Sequence, residues 1–234
     1  MILPFKNAIA GAIHLFYPHV CTGCGSDLLP VNNLLCLQCI SNLPHTHYAQ
    51  HANNPMEKIF WGRIPVVAAH SEFYFAKESL VQQLIHQLKY NNNQQVGVYL
   101  GELMGKSLCD SNRFKNMDYL VPLPLFPDKE RKRGYNQATV ICEGMSSVMN
   151  IPLLTGNIMR RRFTETQTKK HRTERWENVE GSFVVMNEAQ LEGKNLLLVD
   201  DVVTTGATLE ACGSIMVKSK GAKLSIATLS LATR

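Results

Sequence analysis

The sequence predicts an α/β protein, a parallel sheet with flanking helices, preceded by a small four-cysteine ribbon. Three observations point there. From about residue 64 onward, strand-like apolar runs alternate with helix-period segments, at lengths suited to right-handed crossovers. One such run, Leu196–Val199, passes straight into Asp200 and Asp201, then a small hydroxyl-and-glycine loop, then a helical pattern. Near the N-terminus stand two Cys-x2-Cys pairs, Cys21/Cys24 and Cys36/Cys39, eleven residues apart.

The 234 residues, 45% of them hydrophobic, suit one ordinary domain plus a small appendage. Residues 1–44 read as an N-terminal helix and the ribbon, 45–62 as a linker around Asn53-Asn54-Pro55, and 63–234 as the α/β domain. Met1 to Val20 is mostly apolar, but Pro4 and Lys6 leave no hydrophobic core of the length a signal peptide needs. A short amphipathic helix stopped near Pro18 is expected, with weak membrane-surface contact as the alternative. No apolar run approaches ~18 residues, so no spanning helix is expected.

Four thiolates at the ribbon's spacing can close a tetrahedral Zn(II) site, and sulfur ligation also admits iron. A stretch this thin buries little apolar surface, so metal would supply most of its folding energy. A disulfide framework fits poorly, because Cys109, Cys142 and Cys212 are left over. Those three are expected as small buried hydrophobes. His14, His19, His45, His47 and His51 are expected at the surface, since four cysteines already fill the shell.

In the larger part, Ile64–Ala69 reads as a short strand that Ser71–Phe75 continues or pairs with. Leu80, Leu84, Ile85 and Leu88 form one helical stripe ending near Lys89-Tyr90, and Leu100, Leu103, Met104 and Leu108 form another. Tyr119–Val121 is a buried strand entering Pro122-Leu123-Pro124. Gln137–Met149 is a helix, Ile151–Leu154 a short strand and Phe183–Val185 an edge segment. Leu196–Val199, apolar throughout, reads as a central parallel strand. Thr208–Ser219 is a helix and Lys223–Leu231 a last strand.

The formal charge is +5, but segments 128–133 and 160–175 together carry +7, leaving the rest near −2. The positive charge is therefore local and aimed at something anionic: pyrophosphate, a nucleotide or a nucleic-acid backbone. The Asp200–Thr208 run has the matching chemistry. Backbone N–H groups of a small loop and a helix N-terminus can hold a phosphate, and two carboxylates can accept hydrogen bonds from ribose hydroxyls. A side chain at Gly206 is expected to fill the space the anion needs.

The run Leu196–Thr208 resembles the phosphoribosyl-pyrophosphate loop of type I phosphoribosyltransferases. The whole chain resembles the ComF (ComFC/GntX) family, a four-cysteine zinc ribbon joined to a phosphoribosyltransferase-type domain. The resemblance is carried by the two knuckles, Leu88-Lys89-Tyr90, Leu120–Leu125, Lys132–Gln137, a series Arg160, Arg162, Thr164, Gln167, Arg172, Arg175 and Asn178, and Val199–Thr208. It implies structural zinc on Cys21, Cys24, Cys36 and Cys39. It implies Mg(II) with phosphoribosyl pyrophosphate on Asp200 and Asp201, with Val203, Thr204, Thr205, Gly206, Ala207 and Thr208 at the 5-phosphate.

It further implies a pyrophosphate loop at Pro122, Leu123 and Pro124, with Arg131 and Arg133 to neutralise it. Gly134, Asn136 and Gln137 would start a helix beside the ligand cleft. Residues 160–178, with Arg160, Gln167, Arg172 and Arg175, would close over it as a mobile loop. Tyr135 could stack on a base or belong to the core. Lys89 could face ligand or satisfy the last carbonyls of its helix.

Two functions follow from the resemblance. One is a protein assisting DNA uptake and natural transformation on the cytoplasmic side, binding phosphoribosyl pyrophosphate, a nucleotide or single-stranded DNA, with a helicase-like competence protein as partner. The other is an active phosphoribosyltransferase acting on a nitrogenous base. No residue in 64–110 names that base. Oligomeric state is not legible.

Overall fold

A computed structural model describes residues 19–27, 29, 33–161 and 182–232. The chain divides into two compact units, residues 1–43 and 44–234.

In the first unit the described residues form two tight turns and one short helix. Gly25, in the left-handed region at φ +74°, donates its N–H to Cys21 O at 2.8 Å. The second knuckle opens helix α1, Leu37–Ser41, with Cys36 at its cap. The N-terminal helix expected over residues 1–18 lies outside the described residues.

The second unit begins earlier than the sequence implied. Residues 45–62, expected as a linker, pack into its core. Tyr48, Met56 and Phe60 are buried there. Asn54 caps helix α2, Pro55–Lys58, accepting the Glu57 N–H and donating to the Ala69 carbonyl at 2.9 Å. The strand expected at 64–69 is displaced to β1, Ala69–Phe75. Its outer edge is not open. His45 bridges to Phe73, and Thr46 N–H donates to Glu72 O at 3.0 Å, which blunts an edge that could pair with another chain.

Helices α3, Leu80–Tyr90, and α4, Gln94–Cys109, follow, the first capped by Ser79. Strand β2 covers Tyr119–Pro122. A short helix α5, Pro127–Arg133, ends on Gly134 in the left-handed region, and α6, Gln137–Met149, starts on Asn136. Strands β3, Ile158–Arg160, and β4, Phe183–Val185, form an antiparallel pair. Strand β5, Asn195–Val203, leads through the Thr204–Gly206 turn into α7, Ala207–Met216, and β6, Lys223–Ala232, completes the sheet.

The main sheet has the order β1-β6-β5-β2, and every described pairing in it is parallel. On the outer side of β2, Leu153 makes a parallel bridge to Leu120. Leu196, Leu197, Leu198 and Val199 are all fully buried, as a strand covered on both faces requires.

The helical layer that carries the site is set by glycines. Gly97, Gly101 and Gly105 recur every four residues on α4 and share one face. A Cβ on Gly101 would collide with the Ile141 carbonyl of α6, and one on Gly144 of α6 with the Val98 carbonyl. The two helices therefore meet backbone to backbone. Of the cysteines expected in the core, Cys142 and Cys212 are buried, but Cys109, at the end of α4, is exposed.

Candidate functional site

Strands β2 and β5 are neighbours and both end on one rim of the sheet, the location where open parallel sheets bind ligands. β5 runs further than the sequence implied, so Asp200 and Asp201 lie within the strand and not in the loop. Successive strand residues face opposite sides. Asp201 is buried and Asp200 half-buried.

Asp201 is held by two groups from different helices. Lys89 Nζ at the end of α3 lies 2.9 Å from its Oδ2. Gln137 Nε2 at the start of α6 donates to the same oxygen at 3.0 Å. Asp200 Oδ1 accepts the Asp201 N–H at 2.8 Å. Burial, with Asp201 as a like-charged neighbour, pushes the Asp200 carboxyl up to about 8, against the opposing pull of that N–H, Lys89 and Arg160. No titratable residue of the sequence stands out as a general base. In the structure Asp200 does, and only its three-dimensional surroundings make it so.

The Thr204–Gly206 turn follows. Thr204 and Thr205 are exposed, and Gly206, at φ +74°, precedes the first turn of α7. A hollow of about 50 Å³ is lined by Asp200, Val202 and residues 203–209. Two expectations need correction here. The Val203 side chain is buried in the core cluster, so only its backbone can face the hollow. A Cβ on Gly206 would lie 2.6 Å from Ile59 Cγ2 and 3.0 Å from Phe60 Cε1. It would press on the segment after α2 and not into the anion's space.

That segment supplies a residue the sequence did not mark. Arg63 Nη1 donates to the Thr205 carbonyl at 2.7 Å and to the Ile59 carbonyl at 2.9 Å, and its Nη2 pairs with Glu210 on α7. It braces the loop from a position 142 residues away, with no local signal to reveal it.

The stretch after β2 also differs from expectation. Pro122 and Pro124 have no N–H, and the Leu123 N–H is spent on Val199 O at 2.8 Å, with its side chain buried. Backbone donors for an anion can begin only at Leu125. Asn136 ties this stretch to α6. Its Nδ2 donates to Leu123 O at 3.0 Å, while its Oδ1 accepts the Ala138 N–H at 3.0 Å. Gly134, at φ +87°, ends α5 by donating to Glu130 O at 2.7 Å.

The arginines divide. Arg131 is exposed and pairs with Asp128 at 2.6 Å. Arg133 lies with its guanidinium 5.8 Å from the Tyr90 ring centroid. Arg160 is wedged between Phe126 and Phe183, 3.8 and 5.1 Å from the ring centroids, and burial lowers its affinity for its proton. It lines a cavity of about 250 Å³ together with Pro122, Pro124, Asn136 and Thr155. Tyr135 donates its hydroxyl to the Leu88 carbonyl, fixing the loop against the end of α3. Gln167, Arg172 and Arg175, with the rest of the expected closing loop from 162 to 178, lie outside the described residues.

Among the described residues, five side chains hold a buried polar atom without a partner, and three of them surround this rim: Arg133 Nη1, Arg160 Nε and Gln137 Oε1. Buried polar atoms are normally satisfied, so two unmet cationic donors, one on Arg160 whose charge acts on Asp200 and one on Arg133 beside the end of α3, suit a polar, anionic ligand.

In the first unit the four cysteine sulfurs all lie within 4.8 Å of one another and none is in a disulfide. Cys24 Sγ and Cys36 Sγ are 3.7 Å apart. A tetrahedron with Zn–S bonds of about 2.3 Å has edges of about 3.8 Å, so the cage fits that ion. Burial opposes ionisation of Cys21, but N–H groups of Cys36, Cys24 and Gly23 outweigh it and bring the thiol down to about 6. Two of the flanking histidines have other partners. His19 Nε2 is 2.8 Å from Asn33 O, and His45, half-buried and not at the surface as expected, pairs with Glu72 at 2.7 Å.

Comparison with known proteins agrees with this geometry. Residues 134–234 match the phosphoribosyl transferase domain family. Competence protein F of Haemophilus influenzae is 26% identical over 213 residues, 89% of this chain and 88% of that protein. DNA utilization protein YhgH of Escherichia coli is 26% identical over 211 residues, 88% of each. Competence protein ComFC of Bacillus subtilis is 40% identical over 111 residues, 47% of this chain and 43% of that protein. No described helix is long and apolar enough to cross a membrane. The four-cysteine cluster, the parallel sheet and these similarities support a ComF/ComFC-family assignment with a phosphoribosyltransferase-like domain.

Proposed function

We propose that this protein assists the handling of incoming DNA on the cytoplasmic side during natural transformation, and that its β2–β5 rim binds phosphoribosyl pyrophosphate, a nucleotide or the end of single-stranded DNA. The carrying observation is the pair of unmet cationic donors, Arg133 Nη1 and Arg160 Nε, the second on a side chain whose charge acts on Asp200. A ribose would take hydrogen bonds from the carboxylates, its 5-phosphate the loop and the α7 N-terminus, and the further phosphates the arginines. Zinc on the four cysteines serves structure. A helicase-like competence protein is the expected macromolecular partner.

Mg(II) fits the donor set of Asp200 and Asp201, both hard oxygen ligands, and would neutralise the phosphates of a bound phosphoribosyl pyrophosphate. For that, Asp200 must lose its proton and Asp201 must release Lys89 or share with it. Ligand binding is therefore expected to tighten as pH rises toward 8.

The alternative, an active phosphoribosyltransferase, is favoured by one feature: burial and the Asp201 charge push the Asp200 carboxyl up to about 8, the range a general acid or base works in. Calorimetry of the zinc-loaded chain against phosphoribosyl pyrophosphate with Mg(II), then against a short single-stranded oligonucleotide, tests the first reading. Binding of neither would overturn it. Consumption of phosphoribosyl pyrophosphate on adding a base would establish the enzyme.

A further inference from the structure

The end of α3 carries a feature the cleft does not use. Tyr90 is 68% exposed. Its ring centroid lies 4.7 Å from that of His86, one turn earlier, and the Arg133 guanidinium stands 5.8 Å from it. The ledge is held in place through the two residues that precede Tyr90. Tyr135 donates to the carbonyl of Leu88, and Lys89 is paired with Asp201. So Tyr90 is an exposed aromatic on a fixed mount, next in sequence to a residue bonded to the aspartate pair.

Its surroundings are cationic. Arg133 ends α5, whose Lys129, Arg131 and Lys132 are all exposed. Against them the same helix sets Asp128, paired with Arg131, and Glu130. Among the described residues of α3 and α5, Tyr90 is the one large hydrophobic side chain that is exposed. A protein-docking patch would need more apolar area. A single nucleotide would not need a helix of cations running on past the ring.

We propose that Tyr90, with Arg133 and the exposed cations of α5, is the docking ledge for single-stranded nucleic acid, one base stacking on Tyr90 and the neighbouring backbone phosphates lying on the cations. Aromatic platforms beside positive charge are how sequence-tolerant single-strand binding is built. The inference rests on the proposed nucleic-acid function only for the strand's end, which this ledge would deliver to Asp200 and Asp201.

The test is fluorescence anisotropy of a labelled oligo-dT on the zinc-loaded full chain at several salt concentrations. Tyr90→Ala should weaken binding roughly 5- to 150-fold, and Tyr90→Phe should keep parental affinity within about twofold. An oligonucleotide lacking bases should bind parent and Tyr90→Ala equally. Arg133→Gln should flatten the log–log salt slope by ~0.7. Unchanged oligo-dT affinity in Tyr90→Ala, in a variant that melts like the parent, would overturn the ledge, as would a parent that fails to bind oligo-dT. Loss of mononucleotide or phosphoribosyl pyrophosphate binding in Tyr90→Ala, with oligo-dT binding intact, would also overturn it and make Tyr90 part of a small-molecule site. The expected oligo-dT result with no phosphoribosyl pyrophosphate binding by the parent would sustain the ledge and sink the ribose-phosphate reading of the rim.

Discussion

Among the described residues, the unit 1–43 buries only Leu35, Leu43 and three of its four cysteines, whereas the unit 44–234 buries a sheet on both faces and helices packed backbone to backbone. The described residues of the first offer almost no apolar area to offset the entropy of ordering their chain. Four sulfurs gathered within 4.8 Å repel one another as thiolates unless a cation sits among them. The second has a core of its own. Two units of one chain thus answer to different reagents, a chelator for one and a cavity or a clash for the other.

The largest effect should come from removing metal. Structural zinc contributes apparent binding energies of about 10 kcal/mol or more, all of it available to folding. Freshly purified protein should contain one Zn(II) per chain. Chelation, or Cys36→Ser, should open residues 19–43 to proteolysis while 44–234 persists and melts nearly as before. Metal-free protein with an intact, protease-resistant first unit would erase the contrast.

Next in size is the α4–α6 contact. Gly101→Ala or Gly144→Ala drives a methyl into a carbonyl of the facing helix, and overpacking at backbone has no rotamer by which to relax. A loss of about 3 kcal/mol is expected in chemical denaturation, with zinc content unchanged. Since α3 and α6 present Lys89 and Gln137 to Asp201, ligand affinity should fall with it.

These glycines show where the sequence was legible and where it was not. The stripe on α3 was correct at Leu84, Ile85 and Leu88, and on α4 at Leu100, Met104 and Leu108, because apolar period alone decides which face is buried. The four-residue recurrence of Gly97, Gly101 and Gly105 was equally visible and carried the closeness of approach, but its partner Gly144 could be matched to it only in three dimensions. The Asp200–Thr208 run was legible as a strand end, turn and helix start because its chemistry is contiguous. Arg63, which braces that loop, and Asn136, which joins Leu123 to α6, act across sequence gaps that no local pattern spans. The 45–62 segment was misread as linker for the same reason. Its polar residues are there to cap and bond, as Asn54 does with Ala69, while Met56 and Phe60 are spaced too sparsely to form a run.

Within the α/β unit, two carboxylates should respond to pH in opposite directions. Asp200 keeps its proton to about 8 when folded and to about 4 when unfolded. The folded state binds more protons between those values, so this group's contribution to stability is lost as pH rises through the window. Asp200→Asn should flatten that decline. Burial alone would raise Glu72, but His45, His70 and Ser107 outweigh it and bring it down to about 2. Its contribution is present above about 4 and lost as pH falls from there toward 2. Glu72→Gln should remove that acid limb. Chemical denaturation across pH would sink the assignment if either variant kept the parent's slope.

Gly206→Ala should cost about 2 kcal/mol, from its left-handed backbone and contact with Ile59. Once folded, the variant should still bind inorganic phosphate. If phosphate binding vanishes in a variant of parental stability, the methyl faces the anion after all.

The smallest effect is expected at Asn136, and it separates folding from site formation inside one side chain. Its Oδ1 caps α6 and its Nδ2 holds the Leu123 carbonyl. Asn136→Ala removes both and should destabilise by about 1 kcal/mol, the usual value of an N-cap. Asn136→Asp keeps the cap, and its charge at a helix N-terminus is favourable, so stability should return to near the parent's. The donor to Leu123 is still gone, however, and a carboxylate now faces a carbonyl beside the proposed anion site. Affinity for phosphoribosyl pyrophosphate should therefore stay reduced in Asn136→Asp despite its recovered melting temperature. Recovery of both together would mean that Asn136 serves the helix alone, and that the Pro122–Pro124 stretch holds its shape without it.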